Sequence, residues 1–267
     1  TDEKYKDFNE VFKDRDGRLL AMVMHTGCKF KSNSLMNVRA YDETGTEEEQ
    51  KEKNKDISSP RLNGDGIYKN VTGFHTRLGI DTTYVTGNCE TAVMFRYAEG
   101  LLCYAEAAAE LGLYNDGVAE KTLKPLRQRA GVAYVTPAAD PHFPFQGLPP
   151  AVQEVRRERR SELSLQGFRL DDLMRWRVAG TLKGVEGRGR GAYLGKDGVL
   201  YLSFSPTLRK EGLNHVLTDN EGWMDPLKEY LPEGYKFNED RDYLLPIPPD
   251  EIQMDHELNQ NPGWPTK

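Results

Sequence analysis

The sequence predicts a mainly α-helical protein with long irregular loops and a few short strands. Apolar residues recur at steps of three and four between Glu90 and Leu111, which is the spacing of one face of a helix. A second helical pattern starts at Pro149 and Pro150, because proline suits the entry turn or the first position of a helix. Runs rich in glycine, proline or charge surround these patterns and favour loops. We therefore expect the helices in the middle of the chain.

Residues 1–88 are predicted to be a loop- and strand-rich segment. LLAMVMH at residues 19–25 is apolar enough for a buried strand. DRDG at residues 14–17 begins like a calcium loop, but the later ligands and the closing glutamate do not follow, so a turn is predicted. Residues 43–56 are almost wholly polar and are predicted to form a mobile surface loop. GIYKNVTGF at residues 66–74 has the composition of a strand.

Residues 89–131 are predicted to form a tetratricopeptide-like helix pair. The stripe of the first helix consists of Val93, Tyr97, Leu101, Tyr104, Ala108 and Leu111. Gly112 is expected to end this helix, and Asn115 to cap the second. Pro125 is expected to break the second helix into two short pieces, since it lacks a backbone donor. Helix-pair repeats need about three copies to bury a continuous core, and the sequence has one.

The charged block at residues 156–162 has two interpretations. It contains no apolar residue over two turns of the helix that begins at Pro150. A solvated charged face is the ordinary interpretation of such a run. Apolar stretches lie on both sides of the block, however, so we also consider a partly buried ion network formed by Glu158, Arg159, Arg160 and Glu162.

The remaining chain is predicted to be loop-rich. Residues 133–150 are proline-rich, and Phe143 and Phe145 in this stretch need cover, so a packed loop is expected rather than a linker. A glycine- and arginine-rich loop follows at residues 180–191. Its glycines do not lead into a helix, because Asp197-Gly198 predicts a tight hairpin turn between the next two apolar runs. This order disfavours a phosphate-binding loop.

Composition and motifs exclude several functional classes. The net charge of −6 argues against a nucleic-acid partner, which would need a basic face. No apolar run approaches the length of a membrane span. The histidines and cysteines have no metal-ligand spacing, and no nucleophile elbow, H-E-x-x-H run or phosphate-binding loop is present. We therefore expect no enzyme activity, no metal and no cofactor.

Four runs, in order along the chain, resemble the SusD/RagB family. They are RYAEGLLCYAEAAAELG at residues 96–112, LRQRAGV at residues 126–132, ERR-x-EL-x-x-x-GFR-x-x-DL-x-RW at residues 158–176, and the tail YLLPIPPDEIQMDHELNQNPGW at residues 243–264. One position departs from the pattern, since Gln166 stands where the family usually has glutamate. The four runs together make the resemblance specific.

The resemblance implies that residues 1–267 are the C-terminal part of a longer protein, with residues 132–267 as the family's C-terminal region. The N-terminal half of such proteins carries most of the tetratricopeptide helices, the signal peptide and a lipidated cysteine. The implied function is capture of a nutrient, an oligosaccharide above all, at the outer-membrane surface of a Gram-negative bacterium. The implied partner is a TonB-dependent transporter of the SusC type. A peptide ligand and a helical-repeat scaffold that binds only protein remain as alternatives.

Four residues are predicted to bind the ligand. An uptake protein without catalytic groups holds a sugar by stacking on aromatic faces, with hydrogen bonds at the edge. In the resembling family the ligand aromatics come from loops, including those before the last long helix, which corresponds here to residues 28–84. The candidates in this zone are Tyr41, Tyr68, Phe74 and His75. The competing interpretation is that Tyr41, Tyr68 and Phe74 attach strand-like segments to the core.

Overall fold

The computed structural model describes residues 8–29, 35–37, 44–55, 70–79, 93–145, 147–194 and 217–265. This part of the chain divides into two compact units: unit 1 comprises residues up to 165 together with 190–226, and unit 2 comprises residues 166–189 and those from 227 onwards. The eight α-helices of the described residues are α1 Gly17–Met22, α2 Glu47–Lys53, α3 Tyr97–Glu110, α4 Asp116–Lys121, α5 Leu123–Ala130, α6 Pro150–Glu162, α7 Phe168–Arg175 and α8 Pro249–Met254.

The predicted fold class, mainly α with irregular loops, is confirmed. Short 3₁₀ segments occur at Phe8–Phe12, Ala179–Leu182 and Val185–Gly187. Within the described residues the extended segments meet only as isolated β-bridges, such as Val23 with Thr76. The hairpin predicted around Asp197-Gly198 lies outside the described residues.

The strand predicted at residues 19–25 is wrong for its first half, where α1 forms. The Asp16 carboxylate caps this helix by accepting a hydrogen bond from the Arg18 backbone N–H at 2.9 Å. Leucine, alanine and methionine are also strong helix formers, so this apolar run has no local preference for a strand. After α1, Val23 is extended and forms its bridge with Thr76, and Met24 donates a backbone hydrogen bond to the His75 carbonyl at 2.9 Å.

The surface loop predicted at residues 43–56 contains a helix, α2. A capping box starts it, because the Glu49 N–H donates to the Thr46 hydroxyl at 3.4 Å while the Glu49 carboxylate accepts from the Thr46 N–H at 2.7 Å. The backbone hydrogen bond from Thr46 lowers the pKa of Glu49. Although α2 buries no residue, its local capping signal was enough for a helix.

The first helix of the predicted pair, α3, begins at Tyr97, later than the pattern from Glu90 indicated. Residues 93–96 are not helical. Four positions of the predicted stripe are exposed, namely Val93, Tyr97, Tyr104 and Leu111. The buried face carries mainly small residues, with Leu102 and Ala105 fully buried, and α3 packs against α6. The large residues Val93, Tyr97, Tyr104 and Leu111 of the stripe are therefore exposed, whereas Leu102 and the buried alanines, Ala108 of the stripe among them, form the packed face.

The second helix of the pair confirms the prediction of two short pieces. Asn115 caps α4 by accepting a hydrogen bond from the Val118 N–H at 3.1 Å. The chain breaks at Thr122, whose φ and ψ are −128° and −89°, and α5 starts at Leu123. Pro125 lies in the first turn of α5, where its missing N–H costs no hydrogen bond. The break thus precedes the proline that causes it.

The loop between α5 and α6 is packed, as predicted. Phe143 and Phe145 are buried and meet edge to face, with ring centroids 5.6 Å apart. The Arg157 guanidinium lies over the Phe143 ring at 5.5 Å and is paired with Asp140 at 2.7 Å. These contacts attach the loop to α6.

The charged block of α6 is buried, and Glu158 is its centre. This side chain is only 1% exposed. Its carboxylate accepts hydrogen bonds from Nη1 of Arg18 at 2.5 Å and from Nε of Arg127 at 2.8 Å. Burial would lower the pKa of Arg18, but the hydrogen bond to Asp16 and the charge of Glu158 outweigh it, so this pKa is raised. Both guanidiniums therefore stay charged against Glu158.

Glu162, one turn further along α6, is 0% exposed and meets three arginines. Its carboxylate accepts from Arg18 at 3.1 Å, from Arg129 at 2.6 Å, and from Arg96 just before α3. Charge-assisted hydrogen bonds of this kind compensate for the loss of water around a buried carboxylate. Glu162 consequently ties α1, α3 and α5 to α6.

Further ion pairs extend this cluster along α6. Arg127 also binds Glu154, Arg156 binds Glu110 at 2.9 Å, and Arg159 lies 3.9 Å from Glu106. The predicted buried network is therefore confirmed for Glu158, Arg159 and Glu162. It is wrong for Arg160, which is exposed. We call the carboxylates Glu154, Glu158 and Glu162 with their arginine partners, together with the Arg156–Glu110 and Arg159–Glu106 pairs, the ion cluster.

In unit 2 the tail run QNPGW holds the preceding LLPIP segment through side-chain hydrogen bonds. The Gln260 amide pairs with both backbone groups of Ile247, each at 2.8 Å. Asn261 donates to the Leu245 carbonyl at 2.7 Å, and the Trp264 indole N–H donates to the Leu244 carbonyl at 2.8 Å. Side chains thus supply the hydrogen-bond partners that a neighbouring strand would supply in a sheet.

Gly263 is a position of the tail that only glycine suits. Its φ of +79° is unfavourable for other residues, and an added Cβ would lie 2.8 Å from Cβ of Arg241. Arg241 cannot easily move, since its guanidinium lies over the Trp264 ring at 4.5 Å.

Replacing Glu162 by glutamine is expected to lower the free energy of unfolding by roughly 3–5 kcal/mol, because three arginines lose their shared charge partner inside the protein. Glu47→Gln is the matched control, since Glu47 pairs with Lys51 at 3.6 Å on the exposed helix α2 and is expected to cost no more than about 1 kcal/mol. Urea unfolding measures both. Equal losses in the two variants would contradict a buried cluster.

Gly263→Ala is expected to destabilise unit 2 by about 1–3 kcal/mol, because alanine would be strained at this φ and would clash with Arg241. Gly189→Ala is the control, since a Cβ there would meet nothing within 4 Å. Hydrogen exchange at the Ile247 amide measures the effect. Unchanged protection of that amide in Gly263→Ala would disprove the role of the tail.

Candidate ligand-binding site

Two of the four predicted ligand residues, Phe74 and His75, lie in a short segment of unit 1 at residues 70–77. Tyr41 and Tyr68 lie outside the described residues. The segment is held to the end of α1, since the His75 carbonyl accepts from the Met24 N–H at 2.9 Å and the Arg77 N–H donates to the Met22 carbonyl at 2.7 Å. Backbone hydrogen bonds therefore hold the segment that carries Phe74 and His75 against the end of α1.

Asn70 determines the turn that precedes Phe74. Its side-chain oxygen accepts from the backbone N–H groups of Thr72 at 3.1 Å and Gly73 at 2.7 Å, while its amide nitrogen donates to the Phe74 carbonyl at 2.8 Å. This is an Asx-type turn, in which a side chain replaces the backbone partner. Gly73 has a φ of +77°, and a Cβ there would lie 2.7 Å from Cβ of Ala192.

Phe74 packs on a hydrophobic cluster of unit 1. The buried members of that cluster are Phe12, Ala192, Leu194 and Met224. The Phe74 ring meets the Phe12 ring edge to face at a centroid distance of 6.4 Å. Phe74 therefore has the surroundings expected of a core aromatic, with part of its surface still accessible.

His75 is half-buried, and its ring faces an amide. Nδ1 of His75 lies 3.2 Å from the Asn70 amide nitrogen, which can only donate, so Nδ1 is the acceptor and Nε2 carries the proton. Burial lowers the pKa of His75, which favours this neutral form. Its Nε2–H group is consequently a donor that the segment can offer to a ligand.

Sequence reasoning missed a groove between the helices of unit 1. It has a volume of about 420 Å³ and is lined by the C-terminal end of α3, the start of α4, the loop after α5 and the start of α6. Its aromatic side chains are Tyr114 and Tyr134, whose hydroxyls lie 3.4 Å apart. We call it the tyrosine groove. The residue in the sequence that could have indicated this groove is Tyr114, since it lies in the loop between two helices, where binding residues concentrate.

The tyrosine groove contains polar groups at defined positions. Burial raises the pKa of Tyr114, so its hydroxyl stays protonated as a donor. Arg127 of the ion cluster lies over the Tyr134 ring at 5.9 Å, and Lys124 does so at 5.2 Å. These cations fix the Tyr134 ring, and the Asn115 cap fixes the start of α4 next to Tyr114.

Two further findings concern metal binding and the length of the helices. Among these residues no group of histidine, cysteine, aspartate and glutamate side chains is arranged to hold a metal ion. In the same part of the chain none of the helices is both long and apolar enough to pass through a bilayer.

Solved structures with the same fold are SusD-like proteins. One is a SusD-like carbohydrate-binding protein from Bacteroides fragilis, with a TM-score of 0.58 and 23% identity over 97% of this chain and 44% of that one. Another SusD-like protein from the same organism gives a TM-score of 0.58 and 20% identity, covering 96% of this chain and 40% of that one. The chain thus spans less than half the length of these structures.

The sequence comparison agrees with the fold. The profile of the SusD family matches residues 1–264, so the chain belongs to this family. None of the curated protein sequences gives a significant match. The resemblance seen in the four sequence runs is therefore confirmed at the level of the family.

The stability of the protein is expected to depend on His75 as pH falls. Because the folded state lowers the pKa of His75 below its ordinary value of about 6.5, the unfolded state binds the proton more readily. The free energy of unfolding should thus decrease as pH falls below about 6.5. In His75→Gln this contribution is absent, so the difference in stability between wild type and variant should change between pH 7.5 and pH 5.

Urea unfolding at a series of pH values measures this change. His142→Gln is the control, since His142 is exposed in the loop before α6. A stability difference for His75→Gln that stays constant across the series would contradict the burial of this imidazole.

Proposed function

We propose that this chain belongs to a cell-surface nutrient-binding protein that captures an oligosaccharide. The observation that carries the proposal is membership of the SusD family over residues 1–264. The similarity in fold to a SusD-like carbohydrate-binding protein supports it. The proposed activity is binding without chemical conversion of the ligand.

The chemistry of residues 70–77 is compatible with a sugar. A neutral oligosaccharide is held by stacking on aromatic faces and by hydrogen bonds to its hydroxyls. His75 offers a neutral imidazole with one N–H donor, and the Asn70 turn holds that ring in place. The proposed ligand site therefore keeps the four predicted residues, in which Tyr41, Tyr68 and Phe74 supply stacking surface and His75 the hydrogen bond.

We also propose delivery of the ligand to a TonB-dependent transporter of the SusC type. The protein would reach the outer-membrane surface through a lipid anchor on an N-terminal region that precedes Thr1. Family membership supports both points. A peptide ligand of the RagB type is the second candidate, because aromatic and amide groups bind peptides as well as sugars.

A glycan array followed by affinity electrophoresis tests the proposed function. Wild type is expected to bind at least one neutral oligosaccharide, and His75→Ala is expected to weaken this binding by about tenfold, since one buried hydrogen-bond donor is lost. His142→Ala is the matched control and should bind like wild type.

Binding of peptides in place of glycans would favour the RagB-type alternative. If neither glycans nor peptides bind, the protein is a scaffold for other proteins, and the proposed function is wrong. If glycans bind with equal affinity to all variants at Tyr41, Tyr68, Phe74 and His75, the ligand site lies elsewhere in the protein.

A further inference from the structure

The tyrosine groove has the components of a site for a small uncharged ligand. None of its lining residues belongs to the segment of residues 70–77. Its rings, Tyr114 and Tyr134, are both half-buried, and their hydroxyls lie side by side at 3.4 Å. Half-buried tyrosines offer an apolar face for stacking and a hydroxyl for hydrogen bonding at the same time.

The charges around the groove favour a neutral ligand over an anionic one. The lining includes two carboxylates, Glu110 and Asp116, and no basic residue among those that the structure describes. Glu110 is already paired with Arg156 at 2.9 Å, and Asp116 lies within electrostatic range of Lys124. Lys124 is itself paired with Glu120 at 2.6 Å, so Asp116 is only partly compensated. The lining therefore disfavours an anionic ligand. The carboxylate oxygens can still accept hydrogen bonds from hydroxyl groups.

The size of the groove limits the ligand further. A volume of about 420 Å³ lies at the low end of the range for ligand pockets, which is about 300–1,000 Å³. Such a groove has space for one or two rings and not for a long chain. The walls are also stiff, because Pro137, Pro149 and Pro150 line one side.

We propose that the tyrosine groove is a second binding subsite, which takes one or two neutral sugar rings. One sugar face stacks on Tyr134 while its hydroxyls bond the Tyr114 hydroxyl and the Asp116 carboxylate. The choice of a carbohydrate rests on the proposed function, whereas the groove, its charge balance and its size rest on geometry. The lining residues that the structure describes all lie within unit 1.

The ion cluster holds Tyr134 and Glu110 of this site in position before a ligand binds. Arg127 joins Glu158 to the Tyr134 ring, and Arg156 joins α6 to Glu110 at the groove lining. A ring that is already fixed loses little conformational entropy on binding. Glu110 is consequently linked to α6 directly through Arg156, and Tyr134 indirectly through Arg127 of α5.

Titration of the chain with maltose, cellobiose and xylobiose by NMR tests the proposal. At least one of these disaccharides is expected to shift the signals of Tyr114 and Tyr134. Tyr134→Ala is expected to weaken that binding by about tenfold and Tyr114→Phe by about threefold, since the first removes a stacking face and the second only a hydroxyl. Tyr230→Ala is the control, because Tyr230 is an 81% exposed tyrosine of unit 2.

A variant that fills the groove covers the case in which a tyrosine variant fails to fold. Thr136 is exposed at the groove lining, so Thr136→Arg should fold and abolish binding. The subsite is disproved if none of the disaccharides binds, if Thr136→Arg binds them like wild type, or if hexaproline displaces them from the groove. None of these outcomes decides the proposed function, which the glycan array tests separately.

Discussion

The burial of Glu158 and Glu162 on α6 is the constraint on which the rest of unit 1 depends. Two carboxylates without access to water must be compensated, and the compensation comes from arginines far apart in sequence: Arg18, Arg96, Arg127 and Arg129. These guanidiniums belong to α1, to the residue just before α3, and to α5. The geometry of the ion pairs therefore defines how α1, α3 and α5 approach α6, where apolar packing alone would tolerate several arrangements.

The same cluster connects the scaffold with both candidate binding regions of unit 1. Arg18 holds α1, whose C-terminal end pairs with the backbone of residues 75–77. Arg127 of α5 contacts the Tyr134 ring and Arg156 of α6 pairs with Glu110, so both reach the lining of the tyrosine groove. Replacing a carboxylate of the cluster would thus affect stability first and ligand geometry second. For a binding protein this arrangement is useful, since a ligand gains affinity from groups that are already in position.

Two segments that the ion cluster does not contact are held by hydrogen bonds from side chains to the backbone. In unit 2 the side chains of Gln260, Asn261 and Trp264 satisfy backbone groups of residues 244–247. In unit 1 Asn70 does the same for the turn before Phe74. Both segments use side-chain amides, joined in unit 2 by the Trp264 indole, as substitutes for a backbone partner, which explains why irregular segments can be well positioned without a sheet.

The sequence by itself determined the family, the helix pair with its Asn115 cap and its break before Pro125, and the packed loop with Phe143 and Phe145. These features depend on short-range signals such as caps, prolines and apolar spacing. Only the tertiary structure decided which face of α3 is buried and that the charged block of α6 lies inside, because the answer depends on arginines up to 144 residues away in sequence. The tyrosine groove also became visible only in the tertiary structure. Tyr114 and Tyr134 are 20 residues apart in sequence, and no local pattern indicates that their hydroxyls meet.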